Sequence, residues 1–415
     1  MLSKNRIQVF EHGVLQTGIH RGVEFAQHHL DVLDRHAGTR GVPWFDRINK
    51  GIRLKSYVGV IQVKDLQIEV LPKIDNTKEK DAVWQRVLVS MLRESGMLRI
   101  NDTGTSDLRL LRNSVLDLYL IRFVEECERL VHQGLVRRYR KQSGNLLVLK
   151  GALQFSKHVT ENVVHKERFY TRHTVYDHDH VFNSLLCQAL TVVCRINTSP
   201  LLRGRIHSLL TFFPEVTSIA VSERLFDTLP YSRNTETYRT AINIARLILL
   251  NYHPDVLRGQ NHVIAMVFDM NILWERWIGK QLKKHLPDWR VKTRGSLPFW
   301  SSEHQNNTSR LRPDFLLTHP ITKQTIIIDT KWKRPENNKP SEADLRQIFA
   351  YNLLFNSKHG ILLYPGNETS EKGGQYHYNT NGTTLHCSTT FLNIINPETG
   401  TPHGKEVTQM ASLKR

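Results

Sequence analysis

The sequence predicts a mixed chain in three parts: a small β-rich domain over residues 1–75, a mainly helical middle region over 76–258, and a C-terminal α/β domain over 259–415. Three observations predict it. Short runs of β-branched residues crowd the first part, segments with apolar residues every three or four positions fill the middle, and strand and helix patterns alternate in the last part. The first two parts together are α+β in class.

Taken in order, Ile7-Gln8-Val9-Phe10, Tyr57 to Val63 and Leu66 to Leu71 read as strands, and Val63-Lys64-Asp65-Leu66 reads as the turn of a hairpin. Between them, Val23 to Arg35 has helical composition. Asp81 to Ser95 is an amphipathic helix with Val83, Val87, Leu88, Met91 and Leu92 on one side, closed by Gly96. Asn113 to Gln133 has the spacing of a core helix, and Gly134 ends it before the basic cluster Arg137-Arg138-Tyr139-Arg140-Lys141, which reads as a solvated loop. Gly144 to Phe155 reads as a buried strand. Asn183 to Cys194 and Thr237 to Tyr252 are again helical, and Pro and Gly mark a hinge between His253 and His262. Phe268 to Leu282 is a further helix, with Ile272, Glu275, Ile278 and Leu282 on one stripe. Trp274 and Trp277 on that helix read as core residues.

The chemistry gathers downstream. Arg312-Pro313-Asp314-Phe315-Leu316-Leu317 is followed by Ile326-Ile327-Ile328-Asp329-Thr330-Lys331, with the turn-forming His319-Pro320-Ile321-Thr322-Lys323 between them. That pattern is a β-hairpin. Alternation sends Asp329 and Lys331 to one face at the strand's end, and pairing brings Asp314 near Asp329. Two carboxylates form a hard-oxygen site suited to Mg²⁺, with Mn²⁺ as a substitute, and a lysine beside them can position water or meet charge developing on a phosphate. Ser341 to Phe355 is a helix with Asp344, Gln347 and Tyr351 on one face. A carboxylate such as Glu275 within an apolar stripe needs a partner or a metal.

The composition fits a polyanion partner. Lys+Arg number 57 against 39 Asp+Glu, a formal charge of +18. Four cysteines without a CxxC pair suggest reduced thiols, and the sequence has neither a signal core nor a membrane-length apolar run, so a cytoplasmic location is expected. The absence of a GxxxxGK[ST] motif excludes nucleotide hydrolysis through a P-loop of its own.

Pro313-Asp314 followed by Asp329-Thr330-Lys331 resembles the PD-(D/E)xK nuclease motif. With Gly59-Val60-Ile61-Gln62-Val63, Val70-Leu71-Pro72-Lys73-Ile74, Gly134 to Tyr139, Asp179, Asn183, Glu275 and Gln347 in the same order, the chain resembles the McrC family, nuclease subunits of McrBC-type modification-dependent restriction systems. The resemblance implies an α/β PD-(D/E)xK nuclease fold in the C-terminal part. It implies a DNA endonuclease active only with an McrB-like AAA+ GTPase ring, which recognises modified cytosine, and a 1–75 domain that docks on that ring and stimulates its GTPase. Asp314, Asp329 and Glu275 would hold the metal, Lys331 would act on the phosphate, and Gln347 would support the site. Asp329 stands where many members of the superfamily carry glutamate. Two other readings remain: a non-catalytic activator of an AAA+ motor, and a stand-alone repair nuclease of the same fold.

Overall fold

The computed structural model describes residues 5–40, 43–72, 81–97, 115–197, 199–254, 262–301, 308–366, 372–380, 383–395 and 407. Contacts divide the chain into two compact units, Leu116–Ile264 and a unit that joins Lys4–Val115 to Ala265–Arg415. This partition differs from the segments 1–75, 76–258 and 259–415, because it depends on contacts between residues far apart in sequence. The expected hinge falls mostly on 255–261, outside the described residues.

In the joined unit, Arg6–Phe10 pairs parallel with Leu66–Leu71, which pairs antiparallel with Tyr57–Val63 through the expected turn. His262–Asp269 lies on the far side of Tyr57–Val63. Gly59 permits this approach: it has a φ of +132°, and a Cβ there would stand 2.2 Å from the Met266 carbonyl oxygen. Every residue of Leu66–Leu71 is buried. The buried Glu69 is satisfied by Gln8 at 2.8 Å and Gln85 at 3.1 Å. Helix Asp81–Glu94 follows, and Glu94 accepts from the Trp277 indole at 2.8 Å and from Gln281 at 2.6 Å, tying the two halves of the unit together.

The second sheet of this unit has six strands in the order Arg290–Thr293, Phe315–Thr318, Thr325–Thr330, His359–Pro365, Thr383–Leu392, Lys372–Thr380. Phe315–Thr318 and Thr325–Thr330 form the predicted hairpin. Helix Glu342–Leu354 leads from Thr325–Thr330 to its parallel neighbour His359–Pro365, a βαβ crossover. Its fit is close: a Cβ on Gly360 would lie 2.3 Å from Ile348 Cγ2. The stretch after Pro365, which carried no assignment from sequence, supplies two strands, one of them parallel to His359–Pro365.

Helix Met270–His285 starts at Asp269, whose carboxylate accepts from the Asn271 amide at 2.8 Å. It buries Leu273, Trp274, Trp277, Ile278 and Leu282. Ile272 is 40% exposed, so the expected stripe is off by one position and Glu275 lies at the edge of the buried face.

The Leu116–Ile264 unit contains helices Val115–Gln133, Val181–Ile196, Pro200–Phe212 and Arg239–Asn251 and an antiparallel pair, Arg138–Leu146 with Phe169–Asp177. The middle region is therefore helical with a β arm. The buried Asn183 clamps the base of this arm: its amide donates to the Val136 carbonyl at 2.9 Å and the His178 carbonyl at 2.8 Å, and its oxygen accepts from Tyr238 at 3.1 Å. Gly144 to Phe155 is not a buried strand. The strand ends at Leu146, and Leu147 and Val148 beyond it are 71% and 70% exposed.

Candidate active site

Asp314 stands just before Phe315–Thr318, and Asp329 lies at the facing end of Thr325–Thr330. Because Phe315 pairs with Ile328, the register brings the two carboxylates together as the sequence predicts. Asp329 is 2% exposed, which leaves a carboxylate almost without solvent. Lys331 Nζ is 2.7 Å from Asp329 Oδ2, an ion pair off the line of a hydrogen bond. It also donates to Gln347 Oε1 at 2.9 Å.

The electrostatics follow from this crowding. Burial and the neighbouring Asp314 charge push the Asp329 carboxyl up to about 6, against the pull of Lys331. The Asp314 carboxyl is also raised, by burial and by Glu275, although Thr330 opposes the shift. The Thr330 amide and hydroxyl both donate to Asp314 Oδ2, at 2.8 and 2.6 Å. A buried and a half-buried carboxylate that repel each other, with one ammonium between the pair and the helix, fit a divalent cation, which would relieve the repulsion that raises both groups.

Helix Glu342–Leu354 supports the lysine. Gln347 Nε2 donates to the Tyr351 hydroxyl at 2.7 Å, and that hydroxyl donates to the Arg312 carbonyl at 3.2 Å. Burial and the Asp329 charge push Tyr351 up to about 12, so it stays a phenol. Asp344, on the same face, pairs with Lys333 at 2.7 Å and accepts from Ser341 and Tyr364 at 2.7 and 3.1 Å. Burial alone would raise it, but these partners hold its carboxyl below the usual range.

Glu275 is close enough for its charge to raise Asp314, yet its carboxylate is held by Arg294 at 2.9 and 3.3 Å. Arg294 also donates its backbone amide to the Asp314 carbonyl at 3.0 Å. The structure thus brings Asp314, Asp329, Lys331 and Gln347 together and sets Glu275 beside them in an ion pair. Thr330 and Arg294 were missed from sequence. Alternation had put Thr330 on the opposite face, and Arg294 takes its place through a left-handed φ of +52° that no pattern signals.

A second cluster of ligand types, His28, His29 and Asp65, is built as a cap. His29 Nδ1 accepts from the Ala26 amide at 3.2 Å, which leaves Nε2 to donate to Asp65 at 3.3 Å.

Comparison with known proteins agrees with this architecture. A family model described as McrBC 5-methylcytosine restriction system component matches residues 52–365. The Type IV methyl-directed restriction enzyme EcoKMcrBC of Escherichia coli (strain K12) is 20% identical over 293 residues, 65% of this chain and 81% of that protein. Among solved structures, a chain of the refined half-complex from the tetradecameric assembly of Thermococcus gammatolerans McrB AAA+ hexamers with bound McrC is 18% identical, with a TM-score of 0.69 over 99% of both chains. A chain of the Thermococcus gammatolerans McrBC complex is 20% identical, with a TM-score of 0.50 over 68% of this chain and 88% of that one.

Proposed function

The chain belongs to the McrBC 5-methylcytosine restriction system component family, and from that premise we propose that it is a metal-dependent DNA endonuclease subunit of the McrC type. It cleaves phosphodiester bonds of modified DNA when assembled with a GTP-hydrolysing AAA+ ring, whose GTPase it stimulates. The observation that carries this reading is the mutually repelling pair of the half-buried Asp314 and the buried Asp329, with Lys331 at 2.7 Å from Asp329. Within the six-stranded sheet and its two helices the order is helix, three antiparallel strands, helix, strand, and this order, with both carboxylates at one end of the hairpin, supports a PD-(D/E)xK core. The ring partner rests on the likeness to structures of McrB AAA+ hexamers with bound McrC.

Asp314 and Asp329 would hold Mg²⁺, or Mn²⁺ in its place, with Glu275 completing the site if Arg294 releases it. The bound cation would supply a Lewis acid and an activated water. Lys331 directs its ammonium at the attacked phosphate, where negative charge grows, and Gln347, itself fixed by Tyr351, holds that ammonium in place. Thr330 keeps Asp314 oriented through two hydrogen bonds. The reading also places the chain in the cytoplasm; none of the described helices is long and apolar enough to cross a membrane.

The test is cleavage of methylated and unmethylated duplexes by the chain with its AAA+ partner, GTP and Mg²⁺. Asp314→Asn should abolish cutting and leave GTP hydrolysis intact. Full cutting by this variant, or in excess chelator, would remove the nuclease assignment and favour a non-catalytic activator.

A further inference from the structure

Between Arg294 and Asp314 the chain leaves the main sheet and forms a two-stranded hairpin, Leu297–Ser301 with Thr308–Leu311. Four of the five residues of the first strand, and three of the four of the second, are exposed. Its register shifts between Pro298, opposite Arg310, and Trp300, opposite Ser309, so Phe299 is an extra residue in a β-bulge. Phe299 and Trp300 are each 59% exposed. Two large exposed aromatic residues consecutive in sequence at a bulge, close in sequence to a candidate catalytic carboxylate, are more than scattered surface apolarity.

The charge around them has one sign. From Arg290 to Pro313 the described residues carry Arg290, Lys292, Arg294, Arg310 and Arg312 and no carboxylate, and the sequence adds the single Glu303. The hairpin is also tied to the active site. Leu311 packs against the core cluster around Tyr351, the Arg312 carbonyl accepts from the Tyr351 hydroxyl, and Arg294 at the other root bonds both Glu275 and the Asp314 carbonyl. Arg310 is braced on Ser296 by contacts of 2.7 and 3.2 Å.

We infer that the strand pair Leu297–Ser301 and Thr308–Leu311 is a DNA-gripping arm: Phe299 and Trp300 lie against base faces of the duplex beside the cut phosphate, and Arg310 and Arg312 meet flanking phosphates. This rests on the endonuclease reading and adds the element that holds the substrate. Aromatic faces accept any base, and wedging rings into a base step distorts the duplex locally without reading its sequence. The arm therefore contributes grip and cut placement, and recognition of the modification lies elsewhere in the complex.

The experiment uses the full chain assembled with its AAA+ partner, in a Lys331→Ala background that keeps the DNA intact, and short methylated duplexes with 2-aminopurine at successive positions. Phe299→Ala/Trp300→Ala should weaken duplex binding about tenfold and abolish the rise in 2-aminopurine fluorescence that reports unstacking, and Trp300→Phe should keep most of both. Melting temperature, ring assembly and GTP hydrolysis should not change, because both side chains are exposed. Arg310→Ala should weaken binding and lower the slope of log affinity against log salt by about one. Unchanged affinity and fluorescence in the double variant would overturn the inference. So would lost ring assembly with unchanged DNA binding, since the rings would then face a protein. A wild-type complex that fails to cut would instead remove the endonuclease reading, and the fluorescence difference would still report on the arm.

Discussion

Trp332 donates its indole N–H to the Glu11 carboxylate at 2.8 Å, a bond between residues 321 positions apart. Trp332 follows Lys331 directly, is buried, and packs on Trp274 at 5.4 Å between ring centroids. The N-terminal segment thus braces the backbone that carries the candidate catalytic lysine.

This bond predicts that the C-terminal part does not fold alone. A fragment of residues 265–415 should lack a cooperative thermal transition, because the walls formed by Glu11 and Glu94 are missing. In the full chain, Glu11→Ala should cost about 1–3 kcal/mol by stranding a buried indole N–H. Thermal melting of both proteins is the check; a sharp, native-like transition in the fragment would refute the idea.

Lys331→Ala should lower the cleavage rate of the assembled complex at least about a hundredfold, the scale of removing one charge-stabilising donor. Folding, ring assembly and GTP hydrolysis should persist, since Lys331 lies at a strand end and its side chain reaches solvent. Single-turnover cleavage with saturating partner measures the loss.

Gln347→Ala should have a smaller effect, about tenfold, because this residue acts by holding Lys331. The loss should appear in the single-turnover rate and leave DNA affinity unchanged. A variant that binds DNA less tightly at an unchanged rate would assign Gln347 to the substrate instead.

The raised Asp329 carboxyl sets a pH dependence. Its folded value of about 6 exceeds the ordinary 3.8, so the folded protein binds this proton more tightly than the unfolded chain. Stability from this group is therefore greatest below about 3.8, falls as the pH rises from there to 6, and stays low above it. A shift of about two units corresponds to about 3 kcal/mol. Asp329→Asn should thus raise the stability of chelator-treated protein at pH 8 and change it little at pH 3.5, as read by denaturant titration at both. Protons and Mg²⁺ compete for the same oxygens, so metal affinity should weaken as the pH falls through 6.

Much of the site was legible because its signals are local. The β-branched run Ile326–Ile328, the turn around Pro320 and the strand period together place Asp314, Asp329 and Lys331, and a three- and four-residue spacing puts Asp344, Gln347 and Tyr351 on one face. What stayed hidden depends on distant partners. Glu11 and Glu94 are unremarkable in sequence until Trp332 and Trp277 reach them. Leu147 to Leu149 read as core because apolarity alone does not reveal that these three side chains stand exposed beyond the end of the strand. The strands after Pro365 are rich in Gly, Asn and Thr, residues that mimic a loop, and pairing with His359–Pro365 overrides that preference.

The interrupted unit also sets an order of events during synthesis. Lys4–Val115 leaves the ribosome well before Ala265–Arg415, and the roughly 150 residues between take about 7–30 s to make at ~5–20 residues per second. For that interval the early segment holds Glu11 and Glu94 without the Trp332 and Trp277 that will donate to them, and it waits with apolar surface uncovered. The intervening unit is contiguous and can close on itself first. The nascent chain is thus most exposed to holding chaperones, and most prone to wrong pairing of its Leu66–Leu71 strand, in the seconds before its last third appears.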